Sequence, residues 1–386
     1  MSAFIPRDLT PTLKMAVLHF PIVALLGPRQ SGKSSLAKEA FPDYSYVSLE
    51  DPDMRIFAIQ DPRGFLKQYP SGTIIDEIQR TPELFSYLQT AVDANSSNGQ
   101  YVLTGSQNFL LLEKITQSLA GRVAILNLLP LSISELSKAG LLPEDYEKLI
   151  FQGGYPRIHA RNAPPTDWYS SYISTYLERD VRLIRQIGDL SSFQRFLQLC
   201  AGRCGQLLNF SNLANETGMS VNTIKSWISI LEASFVVYLM RPHFKNFNKR
   251  LIKSPKLYFY DTGLACALLQ ISEASQVQGH YLQGGLFENL IVSELLKLRV
   301  NKGKIDNLYF FRDQSGREID CIQENSEELI ATEIKSSRTF SENFLGSLSY
   351  YQNLSDCKSL RIIYGGDTSM LRGGISILSW KNIPES

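Results

Sequence analysis

"GPRQSGKS", Gly27 to Ser34, sets two glycines, a lysine and a hydroxyl at the spacing G-x-x-x-x-G-K-[ST]. That motif needs a strand before it and a helix after it, and "IVALL" and "KSSLAKEA" supply both. Main-chain groups along Gly27, Pro28, Arg29, Gln30, Ser31, Gly32, Lys33, Ser34 and Ser35 are then expected to cradle the phosphates of ATP. The helix N-terminus adds its positive end. Lys33 is expected to reach the β- and γ-phosphates, and the Ser34 hydroxyl to ligate Mg²⁺. Further on, "GTIIDE" ends an apolar strand in two carboxylates. Asp76 is placed to hold Mg²⁺ through water, and Glu77 to polarise the attacking water. A third strand, "YVLTGSQ", ends in Thr104, Ser106 and Gln107, and Thr104 is the polar group expected to orient that water. Arg122 follows the helix "NFLLLEKITQSLAG". It reads either as an arginine finger for a neighbouring subunit's phosphate or as a cap on that helix.

A second constellation lies in "GREIDCIQENSEELIATEIKSS", Gly316 to Ser337. Asp320 sits on one short apolar run, Glu333 and Lys335 on the next, with the polar "QENSE" between. Alternation sends Glu333 and Lys335 to one side of their strand, and Asp320 faces them if the strands pair antiparallel. Carboxylates gathered beside a lysine can hold a divalent ion and orient a hydroxide. An exposed, ion-paired hairpin carries the same alternation.

The elements around these residues divide the chain. Residues 22–131 alternate strand-like runs with helical ones, which favours a parallel sheet covered on both faces. Residues 1–131 are thus expected to form an α/β core, and 132–200 a helical lid or linker. Within 201–254, Leu213 and Ala214 fall on a first helix, Gly218 at a turn, and Ser220 at the N-cap of a second helix. That helix carries Val221, Ile224, Trp227, Ile228 and Leu231, which is helix-turn-helix spacing. "SFVVYLMR" would supply a wing. Residues 255–386 mix an apolar helix, "GLFENLIVSELLKL", with short strands.

The bulk numbers set outer limits. A length of 386 residues exceeds one ordinary hydrophobic core, and 44% apolar with 20% charged residues is a globular composition. The net charge of +1 leaves nucleic-acid binding to local patches such as "RPHFKNFNKRLIKSPK", where basic and aromatic residues interleave. The longest apolar stretch, "MAVLHFPIVALLG", is too short to span a bilayer. No basic start leads into an apolar core and a cleavage site, so a cytoplasmic chain without a membrane is expected. Five cysteines without a CxxC pair argue against disulfides and zinc, and predict buried, reduced thiols.

"GPRQSGKSSL", "TIIDEIQR", "LTGSQNFLL" and "SLAGR" resemble the prokaryotic AAA-type ATPases that carry a conserved C-terminal domain of unknown function. "GGYPR", "YLERDV", "KSPKLYFYDTGL", "GLFENLIVSEL", "GREID" and "EIKSS" extend the resemblance over about residues 15–365. It implies an ATP-binding fold, then a winged helix, then a restriction-endonuclease-like domain. The set Asp320, Glu333 and Lys335 is similar to the PD-(D/E)xK nuclease motif, and Glu288 fits the helical acid of that motif. Ile319 stands where the motif name has Pro. The reading that follows is an ATP-hydrolysing protein whose nucleotide cycle moves a nucleic-acid-binding, nuclease-like module, with DNA as expected partner and self-association through Arg122. The alternative is a nucleotide-switched protein-interaction module with slow turnover, a protein partner and no nuclease activity.

Overall fold

β1 (Ile22–Gly27), β2 (Ser45–Ser48), β3 (Thr73–Asp76), β4 (Tyr101–Ser106) and β5 (Val123–Asn127) form a parallel sheet in the order β2-β3-β4-β1-β5. The computed structural model describes residues 4–106, 118–181, 190–243, 253–324, 328–355 and 357–383. Every residue of β1 is buried, because both faces of the sheet are covered. Ile22, Ala24 and Leu26 pack with Phe65, Phe85 and Leu88 on one side. Val23 and Leu25 pack with Leu13, Leu36 and Ala37 on the other. β4 lies between β1 and β3, so the carboxyl ends of all three meet at one edge, with Gly27 opposite Ser106. Open α/β sheets bind ligands at such an edge. This is an α/β fold with a parallel-sheet, P-loop-type N-terminal domain.

The runs "IVALL", "GTIIDE" and "YVLTGSQ", read as strands in the sequence, are β1, β3 and β4. Gln107 and most of the helix "NFLLLEKITQSLAG" lie outside the described residues, as do residues 244–252 of the basic stretch "RPHFKNFNKRLIKSPK".

Helices Phe210–Thr217 and Val221–Ala233 meet at Gly218, whose φ of 72° closes the first. The Ser220 hydroxyl accepts from the Thr223 amide and starts the second. Leu213, Ala214, Ile224, Trp227, Ile228 and Leu231 are buried. β7 (Val237–Pro242) then pairs antiparallel with β8 (Lys256–Phe259), and the short β6 (Gln206–Leu207) flanks β8. The boundary expected at 254/255 falls between these two strands, which the hydrogen bonds of the pair join.

β7 also turns a corner. Val237–Met240 pair with β8, whereas Arg241 and Pro242 pair with β9 (Leu308–Arg312). From β9 the sheet continues antiparallel through β10 (Glu318–Glu324) and β11 (Leu329–Lys335), then parallel through β12 (Ser359–Tyr364) and β14 (Ile375–Ser379), and ends on β13 (Met370–Arg372). The helix Gln283–Val300 precedes β9 and is buried along most of its length. It also joins the two halves of the chain. Its Glu294 accepts from the Ile133 amide at 2.6 Å, and its Lys297 donates to the Leu131 carbonyl at 3.0 Å.

Candidate active site

The phosphate loop takes its shape from two glycines. Gly27 has φ 148°, and a Cβ there would run into the Leu128 carbonyl oxygen; Gly32 has φ 96°, at the start of the helix Lys33–Ala40. No side chain caps that helix, so its first amides remain available for phosphate oxygens. The loop borders a cavity of about 820 Å³, also lined by Arg7, Arg157 and Arg161. The buried Lys33 ammonium donates to the carbonyls of Gly27 (3.1 Å) and Pro28 (2.7 Å). Burial pulls its pKa down to about 8, with Glu77 and Asp76 opposing the fall.

Asp76 gathers three hydroxyls. Its Oδ1 accepts from Ser34 at 2.8 Å and from Thr104, and its Oδ2 accepts from Tyr46 at 2.8 Å. Thr104 is fully buried and spends its hydroxyl on Asp76, so the structure gives it a positioning contact to that carboxylate. The Ser34 hydroxyl and the Asp76 carboxylate are hard oxygen donors in direct contact, a set that fits Mg²⁺. Glu77, next along, adopts a left-handed conformation with φ 57°. Its Oε2 accepts from Gln79, which also donates to Ser106 at 3.0 Å. Burial raises the Glu77 pKa, partly offset by Lys33, which makes the carboxylate a better proton acceptor when ionised.

Arg122 stands at the other end of the sheet, just before β5. Its guanidinium is held by the Asp93 carboxylate at 2.6 and 2.9 Å, and also donates to the Ala120 carbonyl.

Arg7, Arg157 and Arg161 were not singled out in the sequence. Arg157 ends "GGYPR", which offered a signal. Arg7 had none, yet it donates to Ser31 O (2.8 Å), Leu129 O (2.6 Å) and Glu135 (2.9 Å), bracing the loop from behind.

The second constellation also converges. In the antiparallel register Cys321 faces Thr332, which brings Asp320 opposite Glu333. The pairing of β10 with β9 shifts register between Ile319 and Ile322, the stretch that holds Asp320. Asp320 Oδ2 accepts from the Ile334 amide at 2.8 Å and lies 3.6 Å from Lys335, whose ammonium is 2.6 Å from Glu333. Glu288 reaches in from the helix Gln283–Val300. Two further participants are Glu318, to which the sequence assigns no role, and Lys256, which the sequence places in the basic patch "RPHFKNFNKRLIKSPK" but which is buried here among carboxylates. The Lys256 ammonium is 2.7 Å from Glu288, is bonded to Glu318, and stands 3.9 Å from Asp320. Among the described residues the carboxylates that converge within 4.8 Å are Glu288, Glu318 and Asp320; Glu333 is outside that set. Burial raises Glu288 to about 7, against the pull of Lys256. Burial and then Asp320 raise Glu333 to about 8. Burial alone would lower the Lys256 pKa, but Glu288, Asp320 and Glu318 outweigh it and the ammonium is held charged.

Elsewhere the five cysteine side chains are all buried. No described helix is long and apolar enough to cross a membrane.

Three families match the chain in succession: an AAA domain over residues 19–137, a domain of unknown function (DUF8612) over 143–275, and another (DUF4143) over 283–383. Uncharacterized protein Rv2008c of Mycobacterium tuberculosis is 30% identical over 338 residues, covering 86% of this chain and 74% of that protein. An uncharacterized protein of Haemophilus influenzae is 24% identical over 346 residues, covering 81% and 82%. Among solved structures, the Walker-type ATPase PABY2304 of Pyrococcus abyssi aligns at 15% identity with a TM-score of 0.41, covering 69% of this chain and 96% of its own. With its phosphate loop set in an AAA domain, this chain belongs to the family of the mycobacterial protein Rv2008c.

Proposed function

We propose that this chain binds ATP with Mg²⁺ at the cavity behind Gly27–Ser35, hydrolyses it, and uses the cycle to move a C-terminal module that engages nucleic acid. The observation that carries the reading is the meeting of Lys33, Ser34, Asp76 and Glu77 at one sheet edge. Lys33 would bind the β- and γ-phosphates, and Ser34 and Asp76 would hold the ion, which supplies charge neutralisation at the phosphates. Thr104 and Tyr46 fix the Asp76 carboxylate. Glu77 orients a water and takes its proton. Arg157 and Arg161, on the lid side of the cavity, add positive charge. Arg122 is assigned to a neighbouring subunit's phosphate, which makes the working form a homo-oligomer.

The residues beyond the lid are read as a winged helix-turn-helix followed by a nuclease-like α/β domain. The Gly218 turn, the Ser220 cap and the β7–β8 pair support the first. The approach of Glu288, Asp320, Glu333 and Lys335 supports the second as a frame, and cleavage is no part of the proposal. One observation favours a second reading, a nucleotide-switched protein-interaction module with slow turnover: Lys256 fills the carboxylate cluster.

Phosphate release measured with and without single- and double-stranded DNA separates the two. Stimulation by DNA is expected on the first reading, and its absence with slow basal turnover favours the second. Lys33→Ala should abolish turnover, and Glu77→Gln should keep ATP binding while cutting turnover by about 10²–10⁴-fold. A Glu77→Gln chain as fast as the parent would remove Glu77 from catalysis.

A further inference from the structure

Lys256 sits in the middle of the C-terminal carboxylates, and three independent features hold it there. Its backbone is paired on both sides, to Leu207 of β6 and to Met240 of β7, so its strand cannot swing away from the cluster without breaking a sheet. Its side chain is 2% exposed. Its ammonium touches Glu288 and Glu318 and faces Asp320, the same residues whose oxygens come within 4.8 Å of one another. Tyr258, two residues on and on the same face of β8, donates to the same Glu288 oxygen at 2.5 Å.

Charge counting explains why a cation must be present. Glu288, Glu318, Asp320 and Glu333 bring carboxylates to one place; Lys256, Lys335 and Arg312, the last 2.8 Å from Glu318, bring the positive charges. Carboxylates held this close without counter-ions are costly in a buried setting. The usual remedy is a divalent ion with oxygen ligands. Here an ammonium occupies the centre, and a divalent ion placed among the same oxygens would lie against it. At the Glu333 end the Lys335 ammonium, 2.6 Å from Oε1, supplies the positive charge, and the buried Oε2 has no hydrogen-bond partner.

We propose that the Lys256 ammonium is the resident cation of the Glu288–Glu318–Asp320 cluster, standing in for a divalent metal and making this part of the C-terminal domain metal-independent. A resident lysine holds the carboxylates together whatever the metal supply, and it withholds the Lewis acid that phosphodiester cleavage would use. The proposal is independent of the phosphate loop and does not depend on ATP turnover.

Mn²⁺ binding to the full-length chain, read by electron paramagnetic resonance, tests it. An Asp76→Asn background removes the phosphate-loop carboxylate from the measurement. In that background the chain with Lys256 is expected to bind no stoichiometric Mn²⁺. Adding Lys256→Met should raise Mn²⁺ affinity by at least about tenfold, and adding Asp320→Asn as well should abolish the gain. Stoichiometric Mn²⁺ on the Lys256 chain that is lost with Asp320→Asn would overturn the proposal, as would a folded Lys256→Met chain that gains nothing. If Lys256→Met does not fold, its refolding on Mn²⁺ addition counts for the proposal. Failure to refold leaves Lys256→Gln and the Lys256 chain itself to decide, by the same two outcomes.

Discussion

Glu333 is an acid that burial and its neighbour Asp320 keep protonated to about pH 8, and this gives the C-terminal domain a pH dependence of definite sign. Between the ordinary range near 4.5 and about 8 the folded chain holds a proton that the unfolded chain has released. Stability contributed by this group is therefore full at low pH and is lost as pH rises through that window. Glu333→Gln, which keeps the shape and cannot ionise, should be more stable than the parent at pH 8.5 by roughly 1–3 kcal/mol, with the gain shrinking towards pH 5. Thermal unfolding at the two pH values measures it, and an equal gain at both would remove titration from the explanation. At this scale the phosphate loop was legible in the sequence because eight adjacent positions carry it. Lys256 was not. Nothing in "KSPKLYF" marks that lysine as the partner of acids on a later helix and strand, since only the folded sheet brings them together.

Elements with local signals were also legible. The Gly218 turn and the Ser220 cap need only their own few residues, and the apolar runs of β1, β3 and β4 announce strands buried on both faces. Ser220→Ala removes the acceptor for the Thr223 amide and should cost about 1 kcal/mol, read as a lower unfolding temperature. ATP binding should not change, because the cap lies in a different part of the chain, and a loss of ATP affinity would contradict that separation. What the sequence could not display is a pairing made at long range. β8 joins β7 across the segment 244–252, and β7 bends from β8 to β9 between Met240 and Arg241. Alternation along each strand looks the same wherever its neighbours are, so no local feature shows that the expected boundary at 254/255 lies between two paired strands.

For the whole molecule, Arg122 lies at the sheet end away from the phosphate loop, so a phosphate it contacts must belong to another subunit. Mixing Arg122→Ala with Lys33→Ala subunits should restore part of the ATP turnover at shared sites. If the mixture never exceeds either variant alone, Arg122 belongs to Asp93 and has no role in trans. Asp261 shows how far the units depend on one another. Its carboxylate accepts from the Gly154 amide at 2.7 Å, the Tyr169 hydroxyl at 2.5 Å and the Leu264 amide at 3.0 Å. A side chain at Gly153 or Gly263 would strike Asp261 or Tyr169. "GGYPR" and "YDTGL" are thus two halves of one buried joint, although 107 positions separate Gly154 from Asp261. Recombination between relatives must then exchange the two segments together. A crossover near 140 or 280 carries the joint across intact, whereas one at 200 or 254 pairs each half with a stranger.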